Sequence, residues 1–248
     1  MSVMAADWIY GIHAVAALLT RRPERIAELR VQEGRGDQRM QHLIADAESA
    51  GIAIEMVPRS QLDQELGGRH QGVAARLSAD HEYREGDIPA LLERSACPLV
   101  LVLDGVTDPH NLGACLRSAD AAGVDFVIAP RDKAVGLTPV VRKVACGAAE
   151  VIPFIQVTNL ARTLRALQEA GVWIVGTAGE ADVALYEQDL KGPVALVLGA
   201  EGGGMRRLTR EYCDFLVNLP MAGSVSSLNV SVAAGICLFE AVRQRRAS

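Results

Sequence analysis

From Pro98 onward one pattern repeats. Short runs that are apolar throughout, Leu99 to Leu103, Phe126 to Ala129, Trp173 to Gly176 and Val194 to Leu198, and a fifth, Phe215 to Leu219, broken only by Asn218, are separated by longer amphipathic stretches at Leu112 to Ala122, Pro139 to Ala149, Leu160 to Ala170 and Val230 to Arg243. A strand with one wet face alternates apolar and polar residues; a strand that is apolar at every position is covered on both sides. Helices laid over both faces supply that cover, so the pattern predicts an α/β fold with a mostly parallel sheet. In such sheets ligands bind just beyond the carboxyl ends of the strands, and any chemistry is to be sought there.

The first ~75 residues read as a separate, smaller α/β unit. An apolar stripe of Ile12, Val15, Ala16 and Leu19 predicts a helix before the break at Pro23, and a short strand is expected over Glu28 to Val31. Leu43, Ile44 and Ala47 mark a second helix ended by Gly51, with strands at Ile52 to Val57 and at Val73 to Leu77. Residues 78–97 turn polar and then amphipathic, with a short helix at Ile88 to Arg94, and read as a connection. The expected organisation is thus 1–77, a linker at 78–97, and 98–248.

Half of the 248 residues are hydrophobic and 22% are charged, which excludes a disordered chain. Pro, Gly, Asp or Arg interrupts every apolar run before the ~18–20 residues of a membrane span. The first ten residues carry Asp7 and no basic residue, unlike a secretory leader, so a soluble cytoplasmic protein without membrane contact is expected. Cys97, Cys115, Cys146, Cys213 and Cys237 stand singly among apolar neighbours and predict buried reduced thiols; the five histidines are equally scattered, and no metal is expected. The net charge of −5 provides no global field for nucleic acid. Only Lys133, Lys143 and Lys191 of the 25 basic residues are lysines. Arginine suits bidentate phosphate contacts, and a GC-rich coding bias gives the same excess; the sequence leaves both readings open.

Three segments beyond strand ends stand out. The first, Asp104-Gly-Val-Thr-Asp-Pro-His-Asn-Leu-Gly-Ala-Cys-Leu-Arg, runs from a strand into a helix that Asn111 is placed to cap, with Arg117 six residues on. Its plainest reading is a capped helix in which Arg117 pairs with Asp120. The second, Leu198-Gly-Ala-Glu-Gly-Gly-Gly-Met, sets Glu201 among glycines that let a ligand approach the backbone; it is neither a P-loop nor a dinucleotide fingerprint. The third, Leu219-Pro-Met-Ala-Gly-Ser-Val-Ser-Ser-Leu-Asn-Val, places four serines, counting Ser231, and Asn229 at the start of the last helix, more polar groups than one cap needs.

In this order and spacing the three segments resemble the signature motifs of the SpoU/TrmH branch of the SPOUT methyltransferases. Tyr10-Gly-Ile-His and His70-Gln-Gly-Val-Ala-Ala resemble that family's RNA-binding extension, a ribosomal-protein-like (L30e-type) domain. The resemblance implies transfer of a methyl group from S-adenosylmethionine to a ribose 2′-hydroxyl of RNA. Its closest wording is to the bacterial enzymes that modify a guanosine of 23S ribosomal RNA, free or in the assembling large subunit. It also implies a deep trefoil knot in the C-terminal domain and a homodimer. By motif match Thr177, Gly199, Glu201, Gly202, Leu219, Met221 and Leu228 would hold the cofactor, and Asn111, Arg117, Glu201, Ser227 and Asn229 would surround the reacting atoms. A guanidinium carries only donors, so Arg117 would clamp a phosphate and stabilise the developing alkoxide rather than take a proton. Alternatives are another rRNA or tRNA nucleotide, or a non-catalytic RNA-binding assembly factor. A nicotinamide dehydrogenase is excluded by Asp-Pro-His-Asn where its glycine fingerprint should be.

Overall fold

The computed structural model describes residues 8–68, 70–78, 83–200 and 202–247. The chain divides into two compact units, Met1–His81 and Glu82–Ser248.

The first unit is a four-stranded sheet of β1 (Trp8–Tyr10), β2 (Ile26–Gln32), β3 (Ile54–Val57) and β4 (Val73–Leu77), with α1 (Ile12–Arg21), α2 (Gln38–Ser49) and α3 (Arg59–Leu66) packed around it. The strand order is β1-β4-β2-β3, antiparallel except for the parallel pair β2 and β3. Of the expected stripes, Val15 and Leu19 of α1 and Leu43 and Ala47 of α2 are buried, while Ile12, Ala16 and Ile44 are half-buried; Leu18 and Met40, which were not expected, are buried with them. Asp37 caps α2 by accepting from the Met40 amide at 3.2 Å. The sequence reading missed β1, three residues long, and α3, in which Leu62 alone is buried and no apolar stripe exists. The two N-terminal motifs meet at one corner. Gly11 N donates to Val73 O at 3.1 Å, and the Gln71 amide oxygen accepts from Ile12 N at 3.2 Å, satisfying the start of α1.

The second unit carries seven strands: β5 (Leu99–Asp104), β6 (Phe126–Pro130), β7 (Phe154–Val157), β8 (Trp173–Thr177), β9 (Val183–Ala184), β10 (Val194–Gly199) and β11 (Phe215–Asn218). All pairings among them are parallel, in the order β7-β6-β5-β10-β8-β11-β9. The helices are α4 (Ile88–Leu92), α5 (Pro109–Ala122), α6 (Pro139–Ala145), α7 (Ala148–Val151), α8 (Leu160–Glu169), α9 (Arg207–Glu211) and α10 (Val230–Arg246). The pleat explains the unbroken apolar runs. Leu99, Leu101 and Leu103 of β5, with Val194, Leu196 and Leu198 of β10, enter the core under α5 and α10. Val100, Val102, Ala195 and Val197 enter the opposite core, under α4 and α8.

Two expectations are corrected here, and one strand was missed. The helix expected over Pro139 to Ala149 is broken, because Cys146 (φ 52°) and Gly147 (φ 94°) are both left-handed and end α6 before α7 begins. The strand β7 was not anticipated, although Phe154 and Ile155 carry its apolar signal. Of the five thiols only Cys115 and Cys237 are buried, and Cys146 is exposed. Burial pushes the Cys237 thiol up to about 12. Desolvation, with Asp214 nearby, does the same to Cys213. Within the stretch expected to be a connection, Ile88 and Leu91 are buried in the core of this unit. No described helix is long and apolar enough to cross a membrane.

The C-terminal helix is fastened at its end. The Arg245 guanidinium donates to the carbonyls of Leu190 (3.2 Å), Cys97 (3.0 Å), Pro98 (3.2 Å) and Gly192 (2.7 Å), the segments that lead into β5 and β10. Arg245→Ala is expected to cost about 3 kcal/mol, because four carbonyls lose a charged donor at once. Urea unfolding checks this: the midpoint falls while the slope is kept.

Candidate active site

The carboxyl ends of the central strands converge. β10 ends at Gly199, in register with Asp104 at the end of β5, and β8 ends beside it at Thr177. Beyond β10 the chain folds sharply back: Ala200 and Gly204 exchange backbone hydrogen bonds at 3.1 and 2.9 Å. Gly202 (φ 74°) and Gly204 (φ 63°) take left-handed conformations there. The return strand lies so close that a Cβ on Gly199 would sit 2.0 Å from Gly204 C and 2.2 Å from Met205 N. The buried Asp104 carboxylate holds the far end of the loop, accepting from Arg206 N at 2.8 Å.

Between this loop, the end of β8 and the serine-rich loop before α10 lies a cavity of about 350 Å3. Thr177, Gly199, Gly202, Leu219, Met221 and Leu228, six of the residues expected to hold a cofactor, line it, and so does Ser227. Glu201 lies outside the described residues. The walls are small side chains, backbone and apolar residues such as Leu198 and Val230, a lining that reads a flat heteroaromatic ring by main-chain contacts. The Thr177 hydroxyl donates to Val197 O of β10 at 3.3 Å.

Next to the cavity, α5 and α10 bring two predicted residues together. Asn229 is the N-cap of α10; its Oδ1 accepts from Ser231 N (2.9 Å) and Ser231 Oγ (2.6 Å). Its Nδ2 donates to Asn111 Oδ1 at 2.9 Å. Asn111 does not cap α5, contrary to expectation. Pro109 fixes the first helical position, so the cap falls on Asp108, which accepts from His110 N (3.2 Å) and Asn111 N (3.3 Å). This leaves the Asn111 side chain pointing to Asn229. Arg117, six residues along α5, is exposed, and its Nη1 reaches Cys146 Sγ, at the C-terminal cap of α6, at 3.7 Å. Gly113 permits that approach, since a Cβ there would lie 2.7 Å from Val144 Cβ. Asn111 and Asn229 are therefore joined directly, Ser227 lies on the cavity, and Arg117 stands apart on the same helix. The sequence reading missed Cys146 and Asp104 as neighbours of these groups, because their roles depend on αL geometry and strand register. Among the described residues no group of His, Cys, Asp and Glu could hold a metal ion.

Comparison with known proteins gives concordant results. The family model described as SpoU rRNA Methylase family matches residues 98–239, and one described as RNA 2′-O ribose methyltransferase substrate binding matches residues 8–83. The chain is 64% identical over 241 residues to the 23S rRNA (guanosine-2′-O-)-methyltransferase RlmB of Yersinia pestis, covering 97% of this chain and 98% of that one. It is 60% identical over 241 residues to the protein of the same name from Escherichia coli strain K12, covering 97% and 99%. Among solved structures it resembles the AdoMet-bound rRNA methyltransferase from Sinorhizobium meliloti, with a TM-score of 0.66 and 26% identity over 96% of this chain and 87% of that one. With a family match over more than half its length and relatives this similar end to end, the chain belongs to the SpoU rRNA methylase family.

Proposed function

We propose that the protein transfers a methyl group from S-adenosylmethionine to the ribose 2′-hydroxyl of a guanosine in 23S ribosomal RNA. The observation that carries this reading is full-length identity above 60% to relatives with that activity, joined to a cavity at the carboxyl ends of a parallel sheet beside the Asn111–Asn229 pair. The cavity volume and its backbone-rich walls fit the adenosine part of the donor, whose sulfonium supplies an activated methyl. Thr177, Gly199, Gly202, Leu219, Met221 and Leu228 hold that donor. Removing the 2′-hydroxyl proton and aligning its oxygen are left to this chain. Asn229, fixed by Ser231 and Asn111, orients the acceptor ribose together with Ser227. Arg117 clamps the adjacent phosphate and stabilises the alkoxide as it forms, and Glu201 orients Arg117 or the ribose.

Residues 1–77 serve as the RNA-binding domain of L30e type, a reading supported by their mixed four-stranded sheet and by the substrate-binding family match. Residues 78–97 form the connection, with Ile88 and Leu91 of its short helix packed into the core of the catalytic domain formed by 98–248. The C-terminal chain is threaded into a trefoil knot, supported by the insertion of β10 between β5 and β8. The enzyme acts in the cytoplasm, as a homodimer whose second copy completes the site. Val232 and Phe239, each half exposed on α10, and Val140 on α6 support an apolar contact of this kind. Light scattering is expected to give twice the chain mass; a fully active monomer contradicts the dimer. Calorimetric titration with S-adenosylmethionine, followed by labelled-methyl incorporation into 23S rRNA and into tRNA transcripts, tests the whole reading. Binding with label in 23S rRNA alone supports it; binding of RNA without any donor binding would identify an assembly factor instead.

A further inference from the structure

The arginines on the helices of the second unit are largely neutralised: Arg162 by Glu85, Arg165 by Glu169, Arg207 by Glu211, Arg210 by Glu180 and Arg243 by Glu240. The loop 131–137 beyond the carboxyl end of β6 is different. Arg131 and Lys133 are exposed there and face no carboxylate within salt-bridge distance among the described residues, Asp132 being the one acid in the loop itself.

The loop is also pinned from several sides. Arg131 N donates to Val157 O at the end of β7 (2.9 Å), and Val135 N donates to Val106 O after β5 (2.9 Å). Arg206 Nη2 donates to Asp132 O (2.7 Å), while Arg206 Nε lies 3.4 Å from buried Asp104. Lys133 sits at the tip in the left-handed region (φ 55°), which side chains other than Gly, Asn and Asp rarely occupy. Such a conformation persists where surrounding contacts over-determine it, as they do here. The ledge adjoins the cavity: one point, a Cβ on Gly105, lies 3.6 Å from Ala200 Cβ on the cavity wall and 3.8 Å from Lys133 O. Asp104 and Arg206 thus tie the ledge to the glycine loop that shapes the donor pocket.

We infer that this ledge carries the phosphodiester backbone of RNA beside the target nucleotide, with Arg131 and Lys133 each meeting a phosphate. In a chain with net charge −5, two cations without a carboxylate partner on a rigid loop at the cavity wall are placed to meet a polyanion in register with the acceptor ribose. The inference rests on the methyltransferase reading above and adds to it the path of the RNA.

The test is the double variant Arg131→Gln, Lys133→Asn in the full-length protein, Asn being a residue that accepts the left-handed backbone. The probe is an in-vitro transcript of 23S rRNA, assayed over a range of salt concentrations. We expect KM for RNA to rise about tenfold with kcat and S-adenosylmethionine affinity kept, and the slope of log K against log salt to flatten by about 1.5. Arg165→Gln, which removes a self-paired arginine, is the control and stays at the wild-type value. Unchanged KM and salt slope in the double variant, with wild type active on the transcript, would overturn the ledge alone. A wild type that neither binds nor methylates the transcript overturns both the ledge and the reading beneath it. A fall in kcat or in donor affinity at unchanged RNA affinity also overturns the inference, because it assigns the loop to the donor pocket.

Discussion

Replacing Arg117 with Ala is expected to lower kcat for methyl transfer on the order of 10³-fold, the scale seen when one preorganised donor to a developing oxyanion is removed. The fold should barely register the change. Arg117 is exposed and its single described contact is the 3.7 Å approach to Cys146 Sγ, so the unfolding free energy should move by no more than about 0.5 kcal/mol. Donor affinity should be kept as well, since Arg117 does not line the cavity. Arg117→Lys separates the two proposed roles: a point charge is expected to restore part of the alkoxide stabilisation but not the bidentate grip on a phosphate. Single-turnover kinetics with saturating donor checks both variants. Wild-type turnover in Arg117→Ala would remove this residue from the mechanism.

Gly199→Ala should be the most damaging single methyl in the molecule. The added Cβ would meet Gly204 C at 2.0 Å and Met205 N at 2.2 Å, and both are backbone atoms that no rotamer change can move. The return strand has to separate from β10, breaking the Ala200–Gly204 bridge and opening the cavity wall. We expect a stability loss beyond about 3 kcal/mol, the upper range for overpacking, with donor affinity reduced by at least about 100-fold. Gly203→Ala, four residues on, is the contrast: nothing lies within 4 Å of its Cβ and its φ is not positive, so it should be nearly silent. Thermal melts and calorimetric donor titration distinguish the two.

The parallel sheet was legible because strands covered on both faces are apolar along their length, and Leu99 to Leu103 shows this directly by sending alternate residues into two different cores. The segments beyond β5, β10 and β11 were legible as unusual because glycines, serines and asparagines are concentrated there, directly after strand ends. What could not be read was geometry set by tertiary contact. Asn111 has the chemistry of a cap, yet Pro109 shifts the cap to Asp108 and frees Asn111 for Asn229, 118 positions away in sequence. Cys146 looked like another buried thiol, and only its left-handed backbone turns it outward toward Arg117. The strand order, with β10 between β5 and β8, is likewise invisible to periodicity, which reports which faces are buried but not which strands are neighbours.

In the proposed reading, the loops at the carboxyl ends of β5, β10 and β11 build one site that methylates a guanosine ribose. Digesting reacted 23S rRNA to nucleosides and weighing them by mass spectrometry tests it most directly. Wild type is expected to add 2′-O-methylguanosine at a single position, and Arg117→Ala to add on the order of 10³-fold less in the same reaction time. Methyl found on a base, or equal ribose methylation by the two proteins, would contradict it.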